Sequence, residues 1–446
     1  MIDSPRGFGF TALWILAATT GSLGQESKNE AIAAQAAEKP AIKSFEKIVK
    51  EFEVAEEKFW TEFKPLSDDS EKHPNDQAIK DKMDRKWKSW PTPDFLARLI
   101  EFASADPRDP KAVDALERVV QVSASVSRTD KQIRPLVNQT LELLMRDHFD
   151  DERMGRICCE VSIGMLPERE KFIRDVLDRS TNMNIKGSAC LALADYQREK
   201  MQMSEIVSKS GDVAIKNIKK ANYFDPADIK EFREKTPESL RSEVESLYER
   251  VIQEFPKIRY DRGPRDGVPV TLGEVAERRL FSLRKLTIGK EAPEIVGEDT
   301  EGKPMKLSDY RGKVVVLTFW ATWCGPCMNQ VPFERKLMER MKGKPFVLLG
   351  VNADPKKDGL EKAMKDAGIE WRSWFDGSPP GPIASRWDIR GFPQTFVIDA
   401  DGVIRHIHLF QKQLDDAVDE LIKEMESKTA AADKRETSAD RVKSKN

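Results

Sequence analysis

Apolar residues fall into two regimes along this chain. From Ile42 to Phe63, the residues Phe45, Ile48, Val49, Phe52, Phe59 and Phe63 recur at helical spacing and predict an amphipathic helix. Ser67 to Trp90 is polar and rich in Lys and Asp, which reads as a surface connection. Helical patterns then follow one another: Pro93–Ala103, Pro110–Val126, Lys131–His148, Glu152–Met165, Pro167–Asp178 and Asn184–Gln197. Several open on proline, which the first turn of a helix accepts because its missing N–H has no partner there anyway. A further helix is expected over Glu238–Phe255, with Leu240, Val244, Leu247, Val251 and Ile252 on one stripe. Around Ile288 the texture changes to short β-branched runs alternating with helical patterns, as in an α/β domain.

Within that second regime, Val314–Phe319 and Pro345–Val351 are continuous apolar runs, suited to strands covered on both faces. Glu301-Gly302-Lys303 marks a turn between short strands. A further strand is expected near Trp371–Phe375, and Thr395–Ile398 and Val403–His408 flank the hairpin turn Asp399-Ala400-Asp401-Gly402. Helices are expected from Cys324 to about Met341, over Gly359–Ala367 and over Leu414–Met425. In the first regime, Leu247–Pro256 resembles the second helix of a tetratricopeptide-type unit, without a clean repeat consensus. The expected organisation is a signal peptide at 1–24, an all-α, solenoid-like domain at 25–286, an α/β domain at 287–427 and a disordered charged tail at 428–446.

The uncharged run from Gly7 to Gly24 follows Arg6 and centres on Ala12–Ala18; with small residues Ser22 and Gly24 it reads as a signal peptide cleaved before Gln25. Export to the periplasm is therefore expected, the alternative being an uncleaved N-terminal membrane anchor. The chain is 39% hydrophobic and 34% charged with a net charge of -2, which gives no reason to expect a nucleic-acid partner. Its five cysteines, Cys158, Cys159, Cys190, Cys324 and Cys327, are too few for a disulfide scaffold of this length.

The chemistry is concentrated in Phe319-Trp320-Ala321-Thr322-Trp323-Cys324-Gly325-Pro326-Cys327, where a buried strand hands over to a helix. Zinc is disfavoured because no second pair of Cys or His completes a four-ligand site. A redox role has a direct reason: two intervening residues let the sulfurs close a ring across the first helical turn, where free N–H groups and the helix dipole favour a thiolate at Cys324. Cys324 would then attack a substrate disulfide and Cys327 would resolve the mixed disulfide.

This string resembles the thioredoxin superfamily, and Trp320–Cys324 is similar to its exported TlpA/ResA-like, redoxin-domain branch. Ala292-Pro293, Leu307–Lys313 and Gly391–Asp399 support the resemblance, which spans about Ile288–Ser427. It implies a thioredoxin-like fold, a central mixed β-sheet flanked by helices. It also implies a cis Pro393 against the dithiol, and a substrate groove formed by Trp323, Gly325, Pro326, Phe392 and Pro393. No cofactor beyond the Cys324–Cys327 disulfide is implied, and no metal. The partners implied are a protein client bearing thiols or disulfides and an unidentified electron donor. Two positions depart from the family: the buried aspartate of thioredoxins is Thr318 here, and the glutamate of ResA-like proteins is Gln330. Neither proton acceptor carries over.

Two rival functions stand beside this one. An exported peroxiredoxin would need a proline at position 317, which is leucine. A helical-repeat scaffold with a structural or vestigial disulfide draws its support from Thr318 and Gln330. Cys158, Cys159 and Cys190 read as buried structural thiols, with a bond from Cys190 to one of the other two as the alternative. Trp371, Trp374 and Trp387 read as core or groove wall, and His406 and His408 as strand histidines lacking a third metal ligand.

Overall fold

The computed structural model describes residues 44–443 except 74–75, 125–131, 164–165, 221–229, 231–233, 261–269 and 378–380. The expected signal peptide lies outside the described residues. The chain divides between Leu247 and Tyr248 into two compact units.

The first unit is helical. Its elements are α1 (Phe45–Lys72), α2 (Gln77–Trp87), α3 (Thr92–Ala105), α4 (Ala112–Ala124), α5 (Ile133–Asp147), α6 (Met154–Val161), α7 (Pro167–Arg179) and α8 (Met183–Lys220). Helix α3 packs on α4 and α5, α4 also packs on α6, and α6 and α7 both lie against α8. Each contributes one apolar stripe to the interior: Leu96 and Leu99 from α3, Leu116 and Val119 from α4, Leu144 from α5, Ile157 from α6, Ile173 from α7 and Leu191 from α8 are all fully buried. The polar stretch expected to be a surface connection is instead the end of α1 and the whole of α2. Only Ile79 and Met83 of α2 are buried, so its apolar stripe is too thin to read as a period. It is capped by Asp76, whose carboxylate accepts the N–H groups of Ala78 and Ile79, and its half-exposed Trp87 packs edge-on against Phe59 and Phe63 of α1.

A helix α9 (Pro237–Glu254) carries the division between the units, and α10 (Leu272–Lys285) follows it. The start of α10 is a capping box: Thr271 Oγ1 accepts the Glu274 N–H and the Glu274 carboxylate accepts the Thr271 N–H. The boundary expected at 286/287 lies inside the second unit. Phe281 and Leu286 pack into the same core as Leu317, Phe319 and Trp387.

The remainder of the second unit is an α/β sandwich. Strands β1 (Val296–Glu298) and β2 (Pro304–Lys306) form an antiparallel pair. The central sheet contains β3 (Val314–Trp320), β4 (Phe346–Asn352), β5 (Ser373–Phe375), β6 (Gln394–Ile398) and β7 (Ile404–Ile407), in the order β5-β4-β3-β6-β7. The β3–β4 and β4–β5 pairs are parallel; β3–β6 and β6–β7 are antiparallel. Helices α11 (Gly325–Arg340), α12 (Leu360–Ala367), α13 (Pro382–Arg386) and α14 (Gln411–Lys443) complete the unit. This is the thioredoxin-like arrangement, a mixed sheet with flanking helices.

Strand β3 is buried along its whole length, and its two faces serve different layers. Val314, Val316 and Trp320 join the residues of α11 and α14, while Val315, Leu317 and Phe319 meet Trp374, Trp387 and Phe396. The period of two along a strand therefore puts Thr318 on the α11 side. The final helix runs on to Lys443, through the segment expected to be a disordered tail. Ala, Lys, Glu and Arg dominate that segment, and these residues favour the helix even without an apolar stripe.

Candidate functional site: a dithiol at a strand–helix junction

Strand β3 ends at Trp320 and α11 starts at Gly325, so the cysteines sit on the turn and the first helical turn at the end of the central strand. The turn is fixed from the neighbouring strand. Asp354, just after β4, accepts the Thr322 N–H at 3.0 Å and the Thr322 hydroxyl at 2.5 Å, and is held in turn by the Asn352 amide at 2.6 Å. Under the turn, Trp320 Nε1–H donates to the Ser373 hydroxyl.

Cys324 and Cys327 are joined by a disulfide, with their Cα atoms 5.2 Å apart. Cys324 is the N-cap of α11, and its sulfur accepts the Cys327 N–H at 3.2 Å. A backbone N–H aimed at that sulfur, at the positive end of a helix dipole, favours the thiolate once the bond is opened. Exposure does little to separate the two cysteines, at 5% and 3%. The N-cap geometry distinguishes them.

The residues expected to form a groove surround this pair. Trp323 is 48% exposed, Gly325 and Pro326 are exposed, and Phe392 and Pro393 are half-buried. The Trp323 ring meets Phe392 edge-on with centroids 5.7 Å apart, and the Phe392–Pro393 peptide is cis. Pro393 lines the same narrow pocket as Cys327, Thr318, Gln330, Trp371 and Glu334.

Glu334 is the residue that sequence reasoning missed. It lies two turns after Cys327 on the buried stripe Cys327, Val331, Glu334 and Leu337. Its side chain shares the pocket lining with Thr318, and burial pushes its carboxyl up to about 7 against the lowering effect of the Thr318 hydroxyl. Its position on the helical period with Cys327, Val331 and Leu337 is a faint signal, since a glutamate in an amphipathic helix ordinarily faces solvent.

The other singled-out residues lie elsewhere. Cys158, Cys159 and Cys190 are buried and form no disulfide; the Cys159 and Cys190 thiols donate to the carbonyls of Ser188 and Leu247, and burial pushes the Cys158 thiol up, away from reactivity. Trp374 and Trp387 are core residues, and Trp371 is buried at the dithiol pocket. His406 lies on β7 and His408 just beyond it. Among the described residues no group of three His, Cys, Asp or Glu side chains is placed to hold a metal ion.

The redoxin family model matches residues 287–421. Over 120 residues the chain is 34% identical to the thiol-disulfide oxidoreductase ResA of Bacillus thuringiensis, covering 27% of this chain and 68% of that protein. Over 134 residues it is 33% identical to ResA of Bacillus subtilis, covering 30% of this chain and 74% of that protein. Among solved structures, a thiol:disulfide interchange protein DsbE of Chlorobium tepidum is 31% identical, covering 31% of this chain and 97% of that one, with a TM-score of 0.28. The helical unit lies outside the matched residues. With its dithiol at the strand–helix junction and this extent of likeness, the chain belongs to the ResA-like family of redoxin-domain thiol-disulfide oxidoreductases.

Proposed function

We propose that this oxidoreductase is exported and exchanges disulfides with protein clients through Cys324 and Cys327. The observation that carries the assignment of roles is the Cys327 N–H aimed at the sulfur of Cys324 at the start of α11. In the reduced protein that donor favours a Cys324 thiolate, which attacks a client disulfide and releases one client thiolate. Cys327 then attacks Cys324, restores the intramolecular disulfide and frees the second client sulfur. The exposed Trp323 with Gly325 and Pro326, and Phe392 and Pro393 opposite, form an apolar rim suited to an extended segment of protein beside the disulfide. The two electrons are carried by the cysteine pair itself, which calls for no further cofactor. An outside thiol donor must regenerate the dithiol.

Export is supported by the apolar run Gly7–Gly24 with its small residues. Among the described residues no helix is long and apolar enough to cross a membrane. The helical unit, which brings no dithiol of its own, is assigned to selecting or positioning the client, and the periplasm is the compartment in which the protein would act.

The test is reduction of insulin disulfides with dithiothreitol as electron donor, beside Cys324→Ser and Cys327→Ser, with the dithiol titrated against glutathione. Turnover by the wild type and its loss in both variants is the expected outcome. Undiminished turnover in either variant would remove that cysteine from the mechanism. Export is checked by fractionation, which should yield a periplasmic protein beginning at Gln25. A cytoplasmic protein retaining Met1 would refute it.

A further inference from the structure

We infer that Glu334 accepts the proton of Cys327 as that thiol resolves the mixed disulfide, with Thr318 lining the same pocket beside the carboxylate. The inference rests on the roles assigned above to Cys324 and Cys327, and supplies the group that the resolving step lacks. Cys327 must lose a proton before it can attack, because the thiolate is the nucleophile. The two polar residues nearest in the family's pattern, Thr318 and Gln330, are a hydroxyl and an amide, and neither accepts a proton near neutral pH. Glu334 brings a carboxyl group to the same pocket from further along α11.

The geometry suits a relay. Glu334 lies seven positions after Cys327, about 10 Å along the helix axis, and a helical side chain leans back toward the N-terminus and so toward Cys327. Thr318, on the α11 face of β3, lines the pocket together with Cys327 and Glu334. Among the described residues no charged partner of Glu334 is found. From β3 it faces Thr318 and Trp320, from the segment before β5 it faces Trp371, and from the segment before β6 it faces Pro393. The ion pairs that Arg340 makes with Asp415 and Asp419 of α14 lie at the far end of α11. Cys327 is the only other titratable side chain in the pocket lining. Burial without a cation accounts for a carboxyl poised at about 7, close to the ideal for a base working near neutral pH.

In the reducing direction the step balances as follows. Cys327 passes its proton to Glu334, and its sulfur bonds to Cys324 as the bond from Cys324 to the client sulfur breaks. The client leaves as a thiolate, and the proton held on Glu334 passes to that thiolate or to solvent. The dithiol is oxidised by two electrons and the client disulfide is reduced by two.

The experiment is a single turnover of the reduced full-length protein with glutathione disulfide between pH 5.5 and 8.5, quenched in acid and followed by mass. In the wild type, release of the second glutathione should rise with pH through an inflection near 7. Glu334→Gln should slow that release by at least about tenfold at pH 7, abolish the inflection and let the Cys324–glutathione mixed disulfide accumulate, while its formation rate is unchanged. Thr318→Val removes the hydroxyl that lowers the carboxyl's affinity for protons, so it should move the inflection to higher pH with the carboxylate still present. Glu334→Asp should restore part of the lost rate. A Glu334→Gln profile matching an active wild type would overturn this inference alone. A wild type that forms no mixed disulfide would overturn the dithiol reading and this inference together.

Discussion

At the scale of single residues, a carboxyl sealed from water beside one hydroxyl affects stability as well as reactivity. The Glu334 carboxyl is raised from an ordinary 4.5 to about 7, so between those values the folded state holds a proton that the unfolded chain has released. Stability contributed at this site is therefore intact below the unfolded value and falls as pH rises through the folded one. The full loss, reached above pH 7, is about 3 kcal/mol, since each pH unit separating the two values is worth about 1.4 kcal/mol. Glu334→Gln should accordingly match the wild type in denaturant melts near pH 4 and exceed it by about that amount at pH 8. A variant less stable than the wild type at pH 8 would mean that the carboxylate is better accommodated than its surroundings suggest. Such a group burdens the fold in return for chemistry. The sequence hid it, because an acidic residue seven positions beyond a CxxC pair reads as an ordinary solvent-facing helical glutamate until β3 is seen to lie against it.

Among elements, the first unit shows the opposite electrostatic case. Glu170 on α7 accepts hydrogen bonds from Gln197 and Lys200 of α8 and from Arg174 one turn along its own helix. Lys200 is itself buried. Burial raises the Glu170 carboxyl, but Lys200 and Arg174 outweigh burial and hold it below the usual carboxylate range. Its contribution is present above the unfolded carboxylate value and is lost as pH falls through the lowered folded one. Glu170→Gln should destabilise the helical unit by about 3–5 kcal/mol at pH 7, because it removes a carboxylate to which a buried ammonium donates. The difference should shrink toward pH 3 in far-ultraviolet melts, and a pH-independent difference would point to lost packing instead. Elements were legible in proportion to their apolar content. Strands β3 and β4, buried on both faces, stood out as unbroken apolar runs. Helix α2, with two buried side chains, and the end of α14 did not, since a cap and the Trp87 ring contacts serve α2 and helix propensity serves α14, none of which leaves a period in the chain.

For the whole molecule, the division between Leu247 and Tyr248 assigns α10 to the redoxin unit, whereas texture alone placed it with the helices before it. Phe281 and Leu286 enter the core on the Phe319 side of the sheet, and the Arg386 guanidinium lies over the Phe281 ring at 5.9 Å. Fully burying a side chain such as Leu286 stabilises by about 1.5–3 kcal/mol, and the half-buried Phe281 contributes less. A fragment beginning at Tyr248 should therefore melt well above one beginning at Thr287, and equal melting temperatures would show that α10 is dispensable to that core.

The sequence by itself determined the reaction type, the cysteine pair and the strand–helix junction that presents it. Those depend on residues within one turn of each other, where spacing along the chain dictates spacing in space. It also determined, through unbroken apolar runs and helical stripes, which segments face inward. Only the tertiary structure decided that Asp354 pins the Thr322 turn, that a carboxyl group from Glu334 meets Thr318 beneath the dithiol, and that Phe281 and Leu286 belong to the redoxin core. Each of these joins side chains from separate elements, and such contacts are set by how the layers pack, which leaves no periodic trace along the chain.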